Sequence, residues 1–144
     1  MFERYTERAR RTLFFARYEA SLLGSLSIEP THLLLGLLRE AEGVTGDLLL
    51  SAGSPDEIRD EIKGHIITHA EIPKSVEIPF TASAKRVLSA ASEEAIGLRH
   101  AWIGTEHLLL AILREDSLAT DILFGRGLRL VSARERVAKV DRPE

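Results

Sequence analysis

Apolar residues recur along this chain with helical period. Leu13, Ala16, Ala20 and Leu23 lie three or four apart, as do Leu88, Ala91, Ala95 and Leu98, so each set makes one stripe on a helix. Thr6 and Thr81 stand where an N-cap belongs, and Gly24 suits the end of the first helix. The segments from Pro30 to Glu40 and from Thr105 to Glu115 are apolar on nearly every side, which predicts two helices in the middle of a bundle. Short helices are expected over about 44–52 and 118–125, each followed by glycine. Ser54-Pro55-Asp56-Glu57 is a capping box with proline at the first helical position, so a fourth helix starts there, with a less clearly marked counterpart over roughly 131–140. Only the stretch VEIPF offers a strand, and the predicted class is all-α.

The two sets of helices are copies of one unit. When Thr6–Glu40 is laid over Thr81–Glu115 with a constant shift and no gap, 16 of 35 positions are identical, where unrelated chains would match at about two or three. Beyond that stretch a one-residue deletion brings Gly53 opposite Gly127. The expected organisation is a single domain over 1–144, with repeat one at 1–69, a connector at 70–80 stiffened by Pro73 and Pro79, and repeat two at 81–144.

Composition removes several kinds of chemistry. The chain has no cysteine, which excludes thiolate metal sites and Cys nucleophiles and agrees with a cytoplasmic location. A net charge of −3 gives no attraction to nucleic acid. The basic cluster of Arg4, Arg8, Arg10, Arg11 and Arg17, interleaved with glutamates, reads as a solvated helix face. Apolar runs are far short of the roughly 20 residues that span a bilayer, so no membrane partner is expected. Neither a phosphate-cradling glycine loop nor a nucleophile elbow occurs. The expectation is a non-catalytic binding domain with no cofactor and no metal.

Five histidines are present. His65 and His69 have the spacing of two zinc ligands without a third, and read as surface residues. His32 and His107 sit at equivalent places in the first turns of the buried helices, where a capping or hydrogen-bonding role is favoured. Helix starts are the more promising sites, because their free N–H groups and dipole attract anions. Thr81 caps one, and Gly104-Thr105-Glu106 forms another. A carboxylate beside such a start could hold a guanidinium while the N–H groups hold its phosphate. Spacing alone favours plain capping.

The motifs MFERYTERARR, THLLLGLLRE, GTEHLLLAILRE and IPFTASAKRVL closely resemble the Clp N-terminal repeat domain, in particular that of ClpC-class Clp ATPases. The resemblance implies a pseudo-twofold pair of four-helix repeats that docks substrate proteins or adaptor proteins for a Clp ATPase and its protease. It also implies a receptor for phosphoarginine, with Glu106 in Gly104-Thr105-Glu106-His107 for the guanidinium and Thr81 near the phosphate. The first copy departs from the motif: Glu29-Pro30-Thr31-His32 puts Thr31 in place of the acid and proline in place of an N–H donor, leaving Thr6 and Thr31 as a degenerate first site. Phe2 and Phe80, with Arg10 and Lys85, would form an apolar docking patch with a basic rim, or both rings would act as hydrophobic staples. An alternative function is a stand-alone regulatory protein that binds Clp components after losing mark recognition.

Overall fold

Eight helices carry the fold in a computed structural model that describes residues 2–140 and 143–144. Repeat one supplies α1 (Glu7–Leu22), α2 (Pro30–Glu40), α3 (Gly43–Ala52) and α4 (Pro55–His65). Repeat two supplies α5 (Ala82–Gly97), α6 (Thr105–Arg114), α7 (Leu118–Gly125) and α8 (Leu130–Val137). There is no strand among the described residues. The VEIPF stretch contributes one residue to an isolated bridge.

Capping fixes the ends. The Thr6 hydroxyl accepts from the Ala9 N–H at 3.1 Å, and the Thr81 hydroxyl from Ala84 at 3.0 Å. Ser54 and Glu57 make the reciprocal capping box that starts α4. Past α1, Gly24 takes φ +73°, a conformation costly for any residue with a Cβ. Its counterpart past α5 is Arg99, at φ 59°, so the trace is kept even where the glycine is lost.

Helices α2 and α6 form the centre, with Leu33–Leu37 and Leu108–Leu113 almost wholly buried. Each packs on the first helix of its own repeat and on the other, and α2 reaches α7 as α6 reaches α3. One hydrophobic core therefore spans both repeats. At Gly36 a Cβ would meet the Thr12 carbonyl oxygen at 2.4 Å, so α1 and α2 approach too closely for any side chain there.

Within each repeat a buried carboxylate ties three helices. Glu19 on α1 accepts from Arg39 on α2 at 2.6 Å and from Arg59 on α4. Glu94 on α5 accepts from Arg114 on α6 at 3.3 Å and from Arg134 on α8 at 2.8 and 3.0 Å. Burial alone would raise both carboxyl pKa values, and the paired guanidinium groups overcome it, holding each below its ordinary value. Equivalent arginines keep the same offset as Glu19 and Glu94, so the register lost near Gly127 is recovered by one extra residue before α8.

The repeats also exchange their entry segments. The chain before α1 pairs with the chain before α6 through a Tyr5–Ile103 bridge, and the chain before α2 pairs with the chain before α5 through Ile28–Phe80. This crossing decides which functional residues meet.

Candidate functional site

Because of the crossing, Glu106 faces Thr6. The Thr6 N–H donates to the Ile103 carbonyl at 2.9 Å, one residue before Gly104. Thr81 instead donates its N–H to Ile28 at 3.0 Å, beside Glu29-Pro30-Thr31. The expected grouping of Glu106 with Thr81, and of Thr31 with Thr6, is thus exchanged: each threonine cap serves the other repeat's helix start.

Glu106, in the first turn of α6, is fully buried. Burial pushes its carboxyl up to about 7, with the neighbouring Glu144 charge adding to the rise. Its oxygens accept the Glu144 N–H at 2.7 and 3.0 Å. The Glu144 carboxylate lies on the start of α3, accepting from Val44 N–H at 3.0 Å, Thr45 N–H at 3.2 Å and the Thr45 hydroxyl at 3.1 Å. The Thr6 hydroxyl donates to the Glu144 carbonyl at 2.8 Å. Thr105 stands behind this set, 2.9 Å from the Thr45 hydroxyl. A carboxylate can only accept, so Thr45 donates to Glu144 and Thr105 donates to Thr45.

Two glycines shape the cavity. A Cβ on Gly104 would fall 1.8 Å from the Glu106 carboxylate and 2.6 Å from the Glu144 backbone, and one on Gly43 would fall 1.9 Å from the Glu144 carboxylate. Gly43 also holds φ +58°. Its helix is otherwise uncapped, since Glu42 makes no capping hydrogen bond from its side chain. The Gly104 N–H is not free for a ligand, as it donates to His107 Nδ1 at 2.9 Å. That bond fixes the tautomer: Nδ1 accepts, so Nε2 carries the proton and donates to His100 Nδ1 at 2.8 Å. His32 accepts from the Glu29 N–H in the same way at 2.9 Å. Burial holds both imidazoles down at about 4, neutral and acting as caps.

Thr45, Val44 and Gly43 were absent from the residues singled out by sequence. Their signal was a glycine opening a helix with no Ser, Thr, Asp or Asn before it. At the equivalent start of α7, Ser117 accepts from the Thr120 N–H at 3.3 Å, closing that end from within. Thr31 is buried, and Pro30 opens α2.

The Phe2 and Phe80 rings meet edge to face at 6.4 Å, and Phe2 also packs on Tyr5 at 5.1 Å. Arg10 turns back to the Phe2 and Glu3 carbonyls, both at 3.2 Å. Lys85 is exposed on the first turn of α5. An open depression of about 380 Å³ lies among Phe2, Glu3, Arg10 and Leu13. His65 and His69 are both exposed. No helix among the described residues is long and apolar enough to cross a membrane, and no group of three or more His, Cys, Asp or Glu side chains among them is arranged to hold a metal ion.

The model of the Clp repeat (R) N-terminal domain matches residues 4–125. The chain belongs to that family. It is 37% identical over 142 residues to the Bacillus subtilis negative regulator of genetic competence ClpC/MecB, covering 97% of this chain and 17% of that protein. It is 40% identical over 142 residues to a ClpA homolog, an ATP-binding subunit of the ATP-dependent Clp protease, from Guillardia theta, with the same coverage. The chain therefore spans about a sixth of the length of these relatives. Among solved structures, the N-terminal domain of the chaperone ClpD from Arabidopsis thaliana superposes with a TM-score of 0.77 at 29% identity, covering 94% of this chain and 93% of that one. Among the described residues, the eight-helix, strand-free architecture is that of the Clp N-terminal domain of Clp ATPases.

Proposed function

We propose that this Clp N-terminal domain docks substrate or adaptor proteins for a Clp ATP-dependent unfoldase in the cytoplasm, and reads phosphoarginine in the cavity between α6 and α3. The observation that carries the reading is the Glu106 carboxylate, buried opposite an uncapped helix start. A guanidinium fits the first and a phosphate the second, and the two lie close enough for one glutamate residue to bridge them. The Thr6 and Thr45 hydroxyls add donors. A guanidinium reaching Glu106 would return its carboxyl to the ionised form, so binding is coupled to proton release near neutral pH.

Calorimetric titration tests this. Phosphoarginine is expected to bind, with arginine and phosphate each at least about tenfold weaker. Glu106→Ala and Thr45→Val remove binding, while Thr81→Ala leaves it unchanged because Thr81 serves the other repeat. Equal affinity for arginine and phosphoarginine, or a Glu106→Ala protein that binds normally, overturns the pocket. The Phe2–Phe80 contact supports a second reading in which a Clp component docks on that face. Loss of pull-down by Phe2→Ala/Phe80→Ala, with retention by Glu106→Ala, would favour it.

A further inference from the structure

We infer that the segment carrying Pro143 and Glu144 is a built-in competitor for the Glu106 cavity, so that a ligand enters by displacing it. The inference rests on the reading of this cavity as a recognition site, and adds its regulation. Glu144 is held as a ligand would be: its N–H, its carbonyl and both carboxylate oxygens are all engaged, by Glu106 on α6, by Thr6 at the N-cap of α1 and by the start of α3 respectively. The space it fills exists only because Gly43 and Gly104 lack a Cβ. The Glu106 carboxylate, fully buried, takes its interhelical N–H from this residue, and the start of α3 has no side-chain cap besides it.

The occupant also has a built-in weakness. Its carboxylate stands near that of Glu106, and the two charges oppose each other. A guanidinium-bearing anion would satisfy the same groups while neutralising Glu106, so exchange favours such a ligand over the resident glutamate. Attachment offsets the weakness. Six residues separate Val137, the end of α8, from Glu144, and so short a tether keeps the local concentration of the segment high.

The test is NMR of the 144-residue chain and its Glu144→Ala variant, following the Val44 and Thr45 amides and titrating phosphoarginine. The variant is expected to shift both amides and to bind phosphoarginine about three- to tenfold more tightly, since the competent fraction is no longer reduced by the occupant. Adding the peptide Arg-Pro-Glu-amide to the variant at millimolar concentration should move the two amides back toward their original positions. Unchanged Val44 and Thr45 amides overturn the competitor, as do shifted amides with unchanged phosphoarginine affinity. If neither protein binds phosphoarginine, mark reading fails; restoration by the peptide would then still uphold the occupant, and absence of restoration would end both ideas.

Discussion

Around the start of α6, Gly104, the buried Glu106 and the uncapped start of α3 leave a cavity filled by Glu144. Around the start of α2, the same trace carries Glu29, Pro30 and Thr31, and faces an α7 whose first turn is capped by its own Ser117. The two ends share helices, caps and inward-facing histidines. They differ in whether the unsatisfied groups of a helix start are closed locally or left for something else to meet. Duplication thus preserved the scaffold while leaving the start of α3 open at one end and capping the start of α7 from within at the other.

The largest effect tests the shared scaffold. Glu19→Ala and Glu94→Ala each strand two arginines around a buried vacancy, and each should cost about 3 kcal/mol in urea unfolding, the lower end for breaking a buried pair because the arginines remain partly hydrated. Costs that differ by more than about 1 kcal/mol would break the equivalence of the repeats.

A somewhat smaller effect separates them by pH. Glu106 has a folded pKa of about 7 against an ordinary 4.5. The native state therefore holds the extra proton between those values. Its stabilisation is complete below about pH 4.5 and is lost as pH rises through 7. Glu19 and Glu94 act oppositely: their depressed values give stability present above the ordinary carboxyl range and lost as pH falls below it. The expectation is a fall on the order of 2 kcal/mol from pH 4.5 to 7.5, discounted from the full shift for relaxation of the buried group. Glu106→Gln should flatten that limb and leave the acid limb intact. A Gln variant with the same slope would mean that Glu106 does not hold the proton.

Much of this fold is legible from residues in local sequence. Thr6, Thr81 and the Ser54–Glu57 box mark helix starts because capping involves groups only three residues apart. The buried stripes of α2 and α6 follow from composition alone. The pairing of Glu106 with Thr6 does not, since it depends on Tyr5 lying against Ile103, nearly a hundred residues away, and internal similarity equally permits a self-contained pocket in each repeat. The Arg59 and Arg134 contacts were hidden for a related reason: the one-residue slip around Gly127 obscures their shared offset from Glu19 and Glu94. Glu144 could not be read either, as nothing in a Pro-Glu pair announces a cavity on α3.

Replacing Thr31 by glutamate asks whether an acid alone makes a site. Thr31 is buried, and the nearby Glu29 N–H is already committed to His32. A new carboxylate there would be buried without a counterpart of the Glu144 N–H that meets Glu106, so Thr31→Glu should destabilise by about 2 kcal/mol by thermal melting and should not create a second phosphoarginine site. A gain of stoichiometry from one to two would refute the view that the first end is closed.

The smallest effect concerns the cap that closes it. Ser117→Ala removes the acceptor of the Thr120 N–H and should cost about 1 kcal/mol, whereas Ser117→Gly should cost only a few tenths, because glycine leaves the helix start open to water. On the other side, Gly43→Ser falls on the first residue of α3, one past the N-cap Glu42, and places a side chain where the Glu144 carboxylate sits and where φ is +58°. It should therefore weaken phosphoarginine binding without the stabilisation that a serine cap normally brings. If Gly43→Ser stabilises the protein and leaves binding intact, the open start of α3 is an ordinary defect in capping, and the difference between the repeats carries no functional meaning.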